Sequence, residues 1–350
     1  MSNNHTRFYE IDLLRFLAAM AVVFFHYTFR GYAEGAYSPI EFPVINEFSR
    51  YGYLGVNLFF IISGFVILLS AMNRTAISFA SSRFIRLYPA FWAGVTLSAI
   101  VIYFFGMPHF SVGMSQYLMN MTMISGYLGI EHIDGVYWTL LVELKFYALI
   151  FLLLLINKIK QIEYFLAAWL VVVFINAVVP LPKIISFLVF PEWAALFISG
   201  ALFYLIYING FNVFRGIMLF CAYLLALYYG IQEVNEVSRY YSSSFSITVA
   251  LFWISFFYLI FVLIILNKMS WIRSDKLVKI GLLTYPLYLV HQNIGFIVFN
   301  AFGESINKYV LLIGLILVMV LVAWLINRLV ERPLGGFLHN KNKQLQHKFS

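Results

Sequence analysis

Charge is scarce in this chain. Of its 350 residues only 11% are Asp, Glu, Lys or Arg, where soluble globular domains carry about a quarter. With 63% hydrophobic residues and a mean hydropathy of +0.88, that scarcity excludes a soluble globule. It makes the chain an integral membrane protein over nearly its whole length. Cysteine is almost absent: Cys221 stands alone in an apolar run, which excludes an intrachain disulfide framework and leaves a small core hydrophobe. Signature motifs are missing as well. There is no Walker loop, no dinucleotide glycine fingerprint, no Gly-x-Ser-x-Gly elbow and no cysteine–histidine metal spacing, so no metal site is expected. The first ten residues are polar, and the apolar run after them has no small-residue cleavage signal. It reads as an uncleaved first span.

What is present is a series of apolar runs. A span needs about twenty mostly apolar residues, and ten runs qualify: 11–29, 53–71, 84–105, 137–156, 163–179, 193–208, 213–230, 244–266, 280–301 and 309–329. The expectation is an all-α, polytopic membrane protein of about ten transmembrane helices, with residues 1–350 forming one membrane-embedded domain. The segment 112–128 is apolar but broken by Gly, Ser and Asn, as in an interfacial or re-entrant piece. The Lys/His/Gln run 339–350 reads as a disordered cytoplasmic tail.

Loop cations set the orientation. If the N-terminus is cytoplasmic, the inside segments hold sixteen of the 23 Lys and Arg, from Arg7 to Lys348. The outside loops hold five (Arg30, Arg50, Lys183, Arg239 and Lys308), and Arg15 and Lys145 lie within spans. Both termini are therefore expected in the cytoplasm. The net charge of +8 is a topology signal with a contribution from anionic membrane lipid, and no nucleic acid is expected as a partner.

Ionisable groups inside spans are expensive and mark pathways or sites. Arg15 and His26 are eleven positions apart in the first run. That is almost three whole turns, so both fall on one helix face, roughly 16 Å apart along the axis. A cation suited to an anion near one surface is thus aligned with a titratable base deeper in. On the same topology Glu143, in the fourth run, falls at a depth comparable to His26. A carboxylate there would fix the histidine tautomer and raise its basicity. The bland reading of Glu143 is an ion pair with Lys145 or Arg15 that only ties helices together; Lys145, two residues away, points to a different side.

Arg83 and Arg86 stand three apart at the cytoplasmic mouth of the third span, where they form either a phosphate clamp or plain positive-inside anchoring. Gly52, Gly55, Ser63 and Gly64 permit close helix packing or close approach of a ligand. His291 follows Pro286 near mid-membrane, where a freed carbonyl is tolerated beside a cavity. Glu331-Arg332-Pro333 ends the tenth span at the cytoplasmic face, either as plain anchoring or as part of a site on that side. His5, His109, His132, His339 and His347 lie in loops or tails and carry no assignment.

Six of these elements, in order over residues 7–333, together resemble the acyltransferase-3 family of bacterial membrane acyltransferases. They are Ile11-Asp12-Leu13-Leu14-Arg15-Phe16 with Arg-x10-His ending at His26, and the run Gly55–Phe65. Arg83-x-x-Arg86-Leu87-Tyr88-Pro89 and Trp138-Thr139-x-x-x-Glu143-x-x-Phe146-Tyr147 come next. Tyr285-Pro286-x-Tyr288-x-x-His291 and Glu331-Arg332-Pro333 complete the series.

The resemblance implies transfer of an acyl group, by default acetyl, from cytoplasmic acyl-CoA (acetyl-CoA) to a sugar hydroxyl of a lipid-linked or surface glycan, in the bacterial inner membrane. It implies catalytic roles for His26, Glu143 and Arg15, and donor binding by Arg15, Arg83 and Arg86. Acyl-CoA is then a substrate, with no permanently bound cofactor. Some relatives carry an extra C-terminal extracytoplasmic domain. Here seventeen residues follow Pro333, so transfer falls to the membrane domain alone or with a separate extracytoplasmic partner. Direct transfer and an acyl-histidine intermediate both remain open. The rival reading is a proton-coupled transporter or flippase of a glycolipid or anionic solute. Against it, no inverted pair of Gly/Pro-broken segments is visible. A pure scaffold would leave Arg15, His26 and Glu143 without a purpose.

Overall fold

A computed structural model describes residues 8–34 and 37–348, with side chains through residue 340. His5 and Arg7, and the side chains of Lys341, Lys343, His347 and Lys348, lie outside the described residues. Among the described residues, ten helices are long and apolar enough to cross a membrane: α1 (Tyr9–Ala33), α2 (Pro43–Ala71), α3 (Ala76–Phe105), α4 (Gly135–Leu155), α5 (Ile159–Val178), α6 (Lys183–Asn209), α7 (Val213–Tyr240), α8 (Ile247–Ile265), α9 (Asp275–Phe302) and α10 (Lys308–Asn340). No strand occurs among the described residues. The chain is a multi-pass, all-α membrane protein.

Each expected span is present, several with extra polar turns. α3 begins eight residues before its apolar run, because Thr75 caps it by accepting from the Ser78 N–H at 3.2 Å and Ser78, Ser81 and Arg83 continue the helix. Hydropathy finds the apolar stretch; the cap decides where the helix starts. Ser246 and Ser274 cap α8 and α9 in the same way. α6 is broken where Phe190 takes a left-handed conformation (φ 35°), immediately before Pro191, which disfavours the helical region for its predecessor. After α10 the chain stays helical to Lys348. The terminal segment expected to be disordered is thus helical across most of its length, built from Lys, Asn and Gln, which the helix tolerates.

The segment 112–128 folds as a short helix, Met114–Asn120, and a 3-10 turn, Ser125–Leu128. It lies against the middle of α3, where Trp92 Nε1 donates to the Met121 carbonyl at 3.0 Å and Tyr88 OH to the Thr122 carbonyl at 3.0 Å.

α9 is the central helix. Every residue from Thr284 to Ile297 is buried, as expected of a helix enclosed on all sides. It packs on α1, α3 and α10. α2 and α6 meet backbone to backbone, since a Cβ on Gly64 would lie 2.1 Å from the Phe197 carbonyl oxygen. Gly64 therefore serves helix packing, the first of the two readings open for that run.

Candidate active site

Two polar centres lie along the line of α1. The first is a cavity of about 310 Å³ lined by Arg15 of α1, Ser63 of α2, Arg83 and Arg86 of α3, Glu143 and Tyr147 of α4, and Tyr285 and Tyr288 of α9. The size is that of a small-molecule site, for which roughly 300–1,000 Å³ is usual. Arg86 Nη1 is paired with Glu331 at 2.6 Å, whose other oxygen accepts from Asn327 Nδ2 at 2.8 Å. The Glu331-Arg332-Pro333 element thus fixes one arginine of the pair at the cavity wall. On two of the lining residues, Arg83 Nε and Thr284 Oγ1 are buried with no hydrogen-bond partner among the described residues. A donor left unsatisfied in such a place is costly, and an anionic ligand would satisfy it.

Glu143 belongs to this cavity. Its Oε1 accepts from Ser63 Oγ at 2.7 Å and from Tyr147 OH at 3.1 Å. Lys145 turns away, donates to the Phe187 carbonyl at 2.9 Å and stacks its ammonium 3.9 Å from the Phe187 ring. Lys145 therefore ties α4 to α6 instead of pairing with Glu143.

The second centre is a pair of histidines. His26 Nδ1 lies 2.9 Å from His291 Nε2, and both side chains are buried. The tautomers follow from the neighbours. His291 Nδ1 is 2.8 Å from the Tyr288 carbonyl, which only accepts, so His291 carries its proton there and offers Nε2 as acceptor. At the other end Arg30 Nη1, which only donates, is 3.3 Å from His26 Nε2. His26 is therefore protonated on Nδ1 and presents an Nε2 lone pair. The stretch His26–Arg30 is a π-helical turn within α1, a widening common at functional sites. Tyr27 OH donates to the His291 carbonyl at 2.7 Å, which holds α1 against α9.

Tyr288 joins the two centres. Its ring lines the cavity and packs 5.7 Å from the His291 ring, and its hydroxyl is 2.8 Å from Thr139 Oγ1. Arg15, Arg83, Arg86 and Glu143 are thus brought together, with His26 beyond Tyr288.

Glu143 does not orient His26; His291 does. The reason is where α4 begins. Asp134 is buried beside α9 and accepts from the Asn293 N–H at 3.1 Å and from the Val136 N–H at 3.2 Å. It is level with the turn that follows His291, so Glu143, nine residues on, lies about 13 Å further along the bundle. Burial pushes the Asp134 carboxyl up to about 6, against the pull of its backbone N–H donors and Arg30. Sequence pattern alone does not single out Asp134 or Gln292. For Arg30 a signal exists: four residues after His26 it shares that residue's helix face.

Residues 8–328 match the family described as an acyltransferase domain. The chain belongs to the acyltransferase-3 family. Among curated proteins the chain is similar to Nodulation protein 10 of Rhizobium leguminosarum bv. viciae, 28% identical over 169 residues. That match covers 42% of this chain and 44% of the relative, so the chain spans less than half the length of the relative it matches. No solved structure matches. Of the residues that carried the resemblance to the acyltransferase-3 family, Arg15, Arg86, Glu143 and Tyr288 face one cavity, and His26 and His291 face each other.

Proposed function

We propose that this protein is a membrane-bound O-acyltransferase of the bacterial inner membrane. It moves an acyl group, acetyl by family default, from cytoplasmic acyl-CoA to a sugar hydroxyl of a lipid-linked or surface glycan. The observation that carries the reading is the alignment of an arginine-lined cavity with a histidine that presents its Nε2 lone pair beside Arg30. Donor phosphates bind at Arg83, Arg86 and Arg15, with the end of the bundle that holds Glu331 facing the cytoplasm, as the loop cations imply. Bidentate guanidinium–phosphate contacts suit such a mouth. The thioester arm reaches past Tyr288 to the histidine pair, and the acceptor arrives from the extracytoplasmic side, on this domain alone or with a separate extracytoplasmic partner.

At the pair, His26 Nε2 takes the acceptor hydroxyl proton while the acceptor oxygen bonds the thioester carbonyl carbon. Collapse breaks the carbon–sulfur bond, and the departing CoA thiolate recovers the proton from His26. General-base help of this kind contributes roughly 10²–10⁴-fold. Glu143, held by Ser63 and Tyr147, acts in the cavity rather than at the base.

The test is acyl transfer from labelled acetyl-CoA in membranes containing the protein or its His26→Ala variant, with glycolipid and polysaccharide fractions counted. Label that requires His26 supports the reading. Equal label in both overturns the role of His26, and solute movement without acyl-CoA consumption overturns the transferase in favour of a transporter.

A further inference from the structure

Arg30 ends the π-helical turn that begins with His26, and it is unusually well fixed for a long cationic side chain. Its Nε and Nη2 bind the Glu34 carboxylate at 3.1 and 3.3 Å, while Nη1 donates to Gln292 Oε1 at 3.1 Å. Each holder is itself held. Tyr240 OH donates to Glu34 at 2.5 Å, and Gln292 Nε2 donates to Asn293 Oδ1 at 2.9 Å. Asn293 in turn donates to the Ile133 carbonyl at 2.9 Å. Four chain segments thus fix one guanidinium, and the N–H left over on Nη1 rests 3.3 Å from His26 Nε2.

A cation beside the lone pair of a base is a poor arrangement for the base alone, because protonation sets two positive charges side by side. It becomes favourable when negative charge develops between them. Resting on the transferase reading above, we propose that Arg30 is a catalytic residue that stabilises the tetrahedral oxyanion of the acyl transfer. An acceptor hydroxyl that hydrogen-bonds to His26 Nε2 displaces the Arg30 Nη1–H and leaves it aimed at the reacting centre. The hydroxyl proton goes to His26 and the acceptor oxygen bonds the carbonyl carbon. The carbonyl π pair moves onto its oxygen, facing Arg30. When the carbonyl re-forms, the carbon–sulfur bond breaks and the thiolate takes the proton from His26. Because Glu34 and Gln292 hold the guanidinium beforehand, little reorganisation is needed as the charge appears, the condition under which such donors contribute most.

The test is steady-state CoA release by the purified full-length protein in lipid, with acetyl-CoA and the acceptor fraction that takes label. Arg30→Gln should lower kcat by about 10²–10³-fold, the range for removal of an oxyanion donor, with both KM values within about threefold. Arg30→Lys, which keeps the charge but loses the planar fork, should fall between the two, about tenfold below wild type. A loss confined to the KM of either substrate, or a kcat within threefold of wild type in Arg30→Gln, overturns the proposal. If Arg30→Gln fails to reach the membrane, Arg30→Lys decides: wild-type kcat overturns the proposal, and a tenfold fall at unchanged KM supports it. Absence of acceptor-dependent CoA release by wild type would overturn the transferase reading and the role of Arg30 with it. Release shared equally by all forms would overturn Arg30 alone.

Discussion

His26 donates from Nδ1 to Nε2 of His291 across 2.9 Å, and the Tyr288 carbonyl, accepting from His291 Nδ1 at 2.8 Å, fixes the direction of that bond. The arrangement sets the tautomer of His26 and aims its ring, as a carboxylate does where a histidine serves as a base. His291→Phe keeps an aromatic ring but removes the acceptor. Transfer should fall by roughly tenfold to a hundredfold, the range seen when a metal-bound histidine loses the partner that orients its ring. Substrate KM values should change little. A variant with wild-type kcat would show that His26 is held by packing alone.

The ion pair between Arg86 and Glu331, 2.6 Å long, gives the C-terminal end of α10 a hold on the arginine-lined cavity. Glu331→Gln keeps the shape and weakens the pairing. The acyl-CoA KM should rise by roughly tenfold, about 1.4 kcal/mol, while kcat stays near wild type. Combined with Arg86→Gln, the second change should add little, because residues in one ion pair couple. Full additivity in that double-variant cycle would place Arg86 and Glu331 in separate roles.

Close approach of α2 and α6 depends on two glycines. A Cβ at Gly200 would lie 2.0 Å from the Ile61 carbonyl oxygen, so no side-chain rearrangement relieves it. Gly200→Leu should destabilise the protein by about 1–3 kcal/mol or more, as overpacking does, visible as a lowered Tm in detergent. Gly314, with nothing within 4 Å of its would-be Cβ, provides the control, and Gly314→Leu should leave Tm unchanged. Equal Tm for the two variants would mean that the crossing is looser than described.

Asp134 makes stability depend on pH. Burial pushes its carboxyl up to about 6, above the roughly 3.9 of an unfolded chain. The folded state therefore holds the proton more tightly. The corresponding stabilisation is full below about pH 4 and is lost as pH rises through about 6, on the order of 2–3 kcal/mol in all. In Asp134→Asn that component is absent. The Tm advantage of wild type over the variant should shrink between pH 4 and pH 7. An advantage that stays constant across that range would show that Asp134 is ionised throughout.

Composition and spacing set the class and the frame. Ten runs of about twenty apolar residues can satisfy their backbone groups in lipid only as helices, so α1 to α10 were legible from composition and spacing. The same logic flagged Arg15, His26 and Glu143, because a charge in an apolar span is costly enough to need a reason. Lys145 could be set apart from Glu143 by helical geometry alone.

What the tertiary structure decided is which of these groups meet. The depths expected from the sequence assume that every span begins at the membrane surface. α4 instead begins at a buried Asp134 bonded to the backbone of Asn293, which carries Glu143 away from His26 and into the cavity with Arg15. His291 becomes the partner of His26 through the packing of α1 on α9, where Tyr27 OH bonds the His291 carbonyl at 2.7 Å. Residues separated by 265 positions meet only once two helices have chosen their rotation and register. That choice is made by shape and hydrogen bonding across the whole interface, and no local pattern in the chain encodes it.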